Sequence, residues 1–162
     1  MSETRELAGE IVRLLTARGQ TLAVAESLTG GLVAAALTGV PGASAAFRGG
    51  VVAYATELKA ALLSVPQDLL ARRGAVDPDV AAAMVTGVRR RLGATAGAAT
   101  TGVAGPDPAD GQPVGRVYIA AAAGPGVAVR RLDLSGSREE IRGATVLECL
   151  RLLLGIMREE NP

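Results

Sequence analysis

The sequence predicts an α/β sandwich, a mixed β-sheet with helices on both faces, and three observations carry that prediction. Apolar, β-prone runs alternate with segments whose apolar residues recur at helical spacing. Towards the C-terminus the alternation gives way to two strand-like runs joined at Gly124-Pro125-Gly126, which predicts a hairpin. No repeat, low-complexity tract or linker interrupts the 162 residues, so residues 1–162 read as one domain, long enough to bury a core without staples.

Each element has its own justification. Leu7, Ile11, Leu14 and Leu15 predict an amphipathic helix over residues 3–18, ended by Gly19. Residues 21–25 form a short apolar run, read as a buried strand, that leads into Glu26-Ser27-Leu28-Thr29-Gly30-Gly31 and then the helix-forming LVAAALT. Val40-Pro41-Gly42 is a turn, and residues 50–54 (GVVAY) are strand-like. Thr56 is the expected cap of a helix running through Leu63, with a helical turn near residues 67–72. Asp77-Pro78-Asp79 is a helix start, and Val80, Met84, Val85, Val88 and Leu92 form its buried stripe before Gly93. Residues 95–104 are almost all Ala, Gly, Thr and Val, which predicts a strand closely approached by another backbone. Residues 105–113 (GPDPADGQP) are turn chemistry throughout. Residues 114–123 and 127–134 are the hairpin strands. Ser137 with Glu140 matches a capping box, opening a helix with a stripe at Val146, Leu150, Leu153, Leu154 and Met157.

Composition excludes several functions. Hydrophobic residues make up 49% and charged residues 20%, and the net charge of +1 gives no electrostatic reason for a nucleic-acid or anionic-membrane partner. Phe47, Tyr54 and Tyr118 are the only aromatics, too few for a base-stacking platform. No apolar run reaches a membrane span and no signal-peptide core is visible, so the expected location is the cytoplasm. The single cysteine excludes an internal disulfide. Apolar faces on an Ala-rich sandwich favour a homo-oligomer, with a dimer expected.

Two further features narrow the chemistry. There is no histidine, so no Ser-His-Asp or Cys-His pair can form within one subunit. With Cys149 alone a zinc site is excluded and no metal is expected, although a carboxylate-bound Mg²⁺ stays open. Sixteen of the seventeen basic residues are Arg, and Lys59 is the only lysine. Arg cannot act as a deprotonated base, whereas a desolvated Lys can.

Four segments could carry chemistry. In Glu26–Gly31 (ESLTGG), hydroxyls and backbone N–H groups gather at a helix start, suited to an anion or oxyanion; the alternative is a plain turn with a Ser or Thr cap. No Walker A lysine and no GxGxxG is present, so no nucleotide cofactor is implied. In YATELK, Lys59 is either a solvated charge or the base for a serine that has no histidine. Tyr54 could hold the lysine or relay a proton; otherwise it is a sheet-edge aromatic with a wet hydroxyl. Thr100-Thr101-Gly102-Val103-Ala104-Gly105-Pro106 allows a ligand near the backbone or is simply a β-turn. Arg138 and Arg142, four apart, make either an anion clamp or a solvated face paired to Glu139 or Glu140. Cys149, inside an apolar helix, reads as inert core.

Taken together, AESLTGG, FRGGVVAYATELK, GAVDPDVAAAM, TTGVAGPD and GSREEIR, in this order, resemble the C-terminal domain of the CinA family over most of the chain. Within it, the stand-alone nicotinamide-nucleotide amidases of PncC type are the nearest counterparts. The resemblance implies a three-layer α/β/α sandwich and hydrolysis of the carboxamide of nicotinamide mononucleotide, giving nicotinate mononucleotide and ammonia. It places Ser27 as nucleophile, Lys59 as general base and Tyr54 in the adjoining tyrosine position. Thr29, Gly30, Gly31, Thr101, Gly105 and Arg138 match substrate-pocket positions. The family commonly reads ESCTGG and YSNEAK; here Leu28, Ala55, Thr56 and Leu58 stand instead, which thins the polar shell around Lys59. The chain has no room for the larger N-terminal domain of full-length members. Two rival readings follow: a nucleotide-binding module of the same family without turnover, and an amidase for another small carboxamide.

Overall fold

A computed structural model describes residues 2–160. The chain order is α1 (Glu3–Ala17), β1 (Leu22–Glu26), α2 (Leu32–Thr38), a single 3-10 turn, β2 (Phe47–Val52), α3 (Thr56–Leu63), α4 (Gln67–Arg73), α5 (Pro78–Leu92), β3 (Ala96–Gly102), β4 (Arg116–Ala122), β5 (Ala128–Asp133) and α6 (Arg138–Glu160). The five strands lie in the order β2-β1-β3-β4-β5. β1 is parallel to β2 and β3, and β3, β4 and β5 are antiparallel in turn. This is the mixed sheet with helices on both faces that the sequence predicts.

Strand alternation sorts side chains into two cores. Leu22 and Val24 of β1 join Val117, Ile119 and Ala121 of β4 under α1, α2 and α6. Ala23 and Ala25 join Ala120 and Ala122 on the other face, under α3 and α5. The small residues of β3 do admit another backbone: a Cβ on Gly102 would stand 2.8 Å from the Arg116 carbonyl oxygen. Likewise α3 lies so close to α5 that a Cβ on Gly87 would meet the Leu63 carbonyl oxygen at 1.8 Å.

Two of the expected caps form and one does not. Asp77 accepts from the amides of Asp79 and Val80 at 2.8 and 3.3 Å. Ser137 and Glu140 exchange side-chain-to-amide bonds at 3.1 Å each, a complete capping box. Thr56 is the first helical residue of α3 rather than its cap; Ala55 holds the cap position and has no side-chain bond to offer.

The topology positions the site. From β1 the chain passes through α2, on one face, out to β2. It returns across the other face through α3, α4 and α5 to β3, on the opposite side of β1. The carboxyl ends of β1 and β3 therefore border a crevice at a switch point, where open α/β sheets take ligands. Ser27 follows β1 there, and Thr101 is the penultimate residue of β3.

Candidate active site

Ser27 stands one residue beyond β1, with its amide donating to the Thr100 carbonyl at 3.0 Å. Lys59 projects from α3 and is 1% exposed, among the largest fully buried side chains described. Its Nζ lies 3.1 Å from Ser27 Oγ, 2.8 Å from the Ala53 carbonyl oxygen and 3.5 Å from that of Tyr54. These neighbours supply oxygens but no carboxylate partner, and burial lowers the amine from its ordinary 10.5 to about 8. The charges of Asp110 and then Glu57 oppose that fall. At pH 7 about a tenth of the amines are then neutral, against a few in ten thousand for an unperturbed lysine.

Both groups border a cavity of about 190 Å³ whose wall includes Leu28, Tyr54, Thr56, Thr101, Gly105 and Arg138. Thr101 Oγ1 donates to the Ala75 carbonyl at 2.7 Å. Arg138 donates to the Gly105 carbonyl and, at 2.9 Å, to the Tyr54 hydroxyl. Six of the nine residues that the sequence singles out are thus brought together: Ser27, Lys59, Tyr54, Thr101, Gly105 and Arg138.

Thr29, Gly30 and Gly31 are not in that wall. Thr29 is fully buried, and the Gly30 amide donates back to the Ser27 carbonyl at 3.0 Å. The start of α2 is no open anion site either. Glu26 covers it, taking the amides of Val33 and Ala34 at 2.9 and 3.0 Å. What the turn does leave is the amides of Leu28, Thr29 and Gly31, which have no acceptor among the described residues.

Two other expectations change in detail. Tyr54 turns its carbonyl, not its hydroxyl, towards Lys59; the residue is 57% exposed and its hydroxyl accepts from Arg138. Arg138 and Arg142 do not form one clamp. Arg142 donates to the Leu28 and Thr29 carbonyls at 2.9 and 3.4 Å, bracing the turn that carries Ser27. The sequence reading also passed over Asp110, whose carboxylate accepts from the Ala75 amide at 3.3 Å. Its backbone is left-handed, at φ 52°, a conformation that Asp tolerates better than most residues and the one local signal available. Among the described residues no group of three or more His, Cys, Asp or Glu side chains could hold a metal ion, and no helix is long and apolar enough to cross a membrane.

Comparison with known proteins identifies the family and agrees with the fold. The family model described as the CinA C-terminal domain matches residues 4–157. A CinA-like protein of Frankia casuarinae is 54% identical over 95% of this chain, which spans 36% of that protein. A CinA-like protein of a Synechococcus species is 49% identical over 91%, again spanning 36% of its relative. The chain therefore spans about a third of the length of these relatives. The crystal structure of competence/damage inducible protein CihA from Agrobacterium tumefaciens superposes with a TM-score of 0.92 at 35% identity, covering 98% of this chain and 97% of that one. A CinA superfamily protein from Escherichia coli gives 0.92 at 32% identity, covering 94% and 90%. The chain belongs to the CinA C-terminal domain family.

Proposed function

We propose that this chain is an amide hydrolase of Ser–Lys type whose substrate is nicotinamide mononucleotide, deamidated at its carboxamide to nicotinate mononucleotide and ammonia. One observation carries the chemistry: a buried amine with a lowered pKa stands 3.1 Å from a serine hydroxyl at the edge of a cavity, in a chain without histidine. The nucleotide substrate rests on the family resemblance, and it suits a cavity with room for the amide-bearing head group and a guanidinium at its wall.

Neutral Lys59 takes the Ser27 proton as Oγ attacks the carboxamide carbon. The amide of Leu28, next in chain to the nucleophile and unpartnered, is the donor available to the developing oxyanion. Collapse breaks the carbon–nitrogen bond, and the nitrogen leaves as ammonia with the proton from Lys59. Water, deprotonated in turn by Lys59, adds to the acyl-enzyme; the acid departs and the Ser27 hydroxyl is restored. Arg138, fixed by Tyr54 and Gly105, keeps guanidinium donors for an anionic part of the substrate.

The test is ammonia release by purified protein from nicotinamide mononucleotide, beside a panel of other small carboxamides. Release from the nucleotide, abolished in Ser27→Ala, is expected. Release from another amide only would move the substrate while keeping the mechanism. Tight nucleotide binding with no release would leave a binding module.

A further inference from the structure

Glu26 and Ser27 are neighbours that face opposite sides of the sheet. Ser27 reaches the cavity on the α3 side, while Glu26 points with Leu22 and Val24 into the core under α1, α2 and α6. A carboxylate 1% exposed in such a place is costly unless it is fully paired. Here it accepts from the Thr29 hydroxyl at 2.6 Å and the Val33 and Ala34 amides at 2.9 and 3.0 Å. The last two are first-turn donors of α2, where negative charge is favoured.

The directions of the remaining bonds follow. A carboxylate only accepts, so the Thr29 hydroxyl must spend its one proton on Glu26. At the 2.8 Å contact between the Thr29 and Thr100 hydroxyls, Thr100 is then the donor. Thr100 in turn receives the Ser27 amide, through its carbonyl at 3.0 Å and its Oγ1 at 3.4 Å. An aligned chain of donors thus runs from the backbone of Ser27 to the buried carboxylate. None of Glu26, Thr29 and Thr100 lines the cavity.

We propose that Glu26 is a positioning residue for the nucleophile: acting through Thr29 and Thr100, its carboxylate fixes the turn at residues 26–31 where the Ser27 hydroxyl meets Lys59. This rests on the Ser27–Lys59 reading above. Glutamine fills the same volume but must set its NH₂ against an α2 amide, that of Val33 in one orientation and that of Ala34 in the other, donor against donor. Aspartate is one methylene short of the same three partners.

The experiment measures the rate at which a fluorophosphonate phosphonylates Ser27, with loss of fluoride, followed by mass spectrometry, together with kcat and KM for amide turnover. Wild type, Glu26→Gln, Thr29→Val and Thr29→Ser are compared, with folding checked by circular dichroism. We expect Glu26→Gln to slow labelling and kcat by about tenfold to a hundredfold, the scale of a small misplacement of a reacting group, with KM nearly unchanged. Thr29→Val should move in the same direction, and Thr29→Ser, which keeps the hydroxyl, should recover most of the rate. Folded Glu26→Gln and Thr29→Val proteins labelled at the wild-type rate, or losses confined to KM, would overturn the positioning role. If Glu26→Gln does not fold, the Thr29 pair decides by the same criteria. Should folded wild type itself resist labelling, the nucleophile reading falls and this role with it; labelling of wild type with no change in the variants sinks only the role of Glu26.

Discussion

A buried amine on one face of the sheet and a buried thiol on the other meet the same physical effect with opposite chemical outcomes. Under α3 and α5, Lys59 loses water and its pKa falls to about 8. On the other side, Cys149 in α6 is wholly buried and its thiol is pushed up to about 12, by desolvation first and the charge of Glu26 second. Burial favours the neutral form of both groups. A neutral amine is a base, whereas a neutral thiol is neither nucleophile nor ligand. Desolvation therefore leaves a potential base at Lys59, which borders the cavity, and an inert thiol at Cys149, which is not in its wall.

Replacing the proposed catalytic pair should break this contrast most severely. Ser27→Ala and Lys59→Arg are each expected to lower amide turnover by about a thousandfold or more, read as ammonia release. Guanidinium keeps the charge of Lys59 but cannot give up its proton, so full activity in Lys59→Arg would remove the base from the mechanism. A sharper test is the pH profile of acylation. Because the proposed mechanism needs the neutral amine, the rate should climb about tenfold per pH unit below 8 and level off above it.

Stability gives the third test. The folded-state pKa of Lys59 lies below its unfolded value, so the unfolded chain binds the extra proton. The resulting penalty is complete below pH 8, shrinks as pH rises from 8 to 10.5, and is absent above that. Lys59→Met should thus be inactive yet more stable at pH 7, by up to about 3 kcal/mol before the loss of its hydrogen bonds is subtracted. Urea unfolding of both proteins across this pH range should show the gap closing; a constant gap would mean that packing, not ionisation, sets it. The smallest effect belongs to the other face. Cys149→Ala should leave turnover within about twofold of wild type and cost about 1–2 kcal/mol for the lost buried volume. Native Cys149 should resist thiol reagents at pH 9.

The parts legible in the sequence were those whose causes are local or periodic. The stripe of α5, the Asp77 cap and the Ser137–Glu140 box all act within a few residues, and all formed as expected. Lys59 was legible by elimination, since no histidine and no second lysine competes with it. The bracing of the turn that carries Ser27 was not. Glu26 caps a helix seven and eight residues on, outside any cap spacing, because the chain doubles back between strand and helix. Arg142 reaches Leu28 from 114 residues away, and Tyr54 finds Arg138 across 84; such contacts exist only once the sheet has brought α6 beside β1 and β3.

One consequence follows from how the positive charge is distributed. Every ion pair among the described residues employs a guanidinium. The sole side-chain amine is therefore the one in the cavity. Protein grown on isotopically enriched lysine would give a single Nζ resonance, free of overlap. The protonation of this one group could then be followed by spectroscopy, without a substrate and without altering any residue.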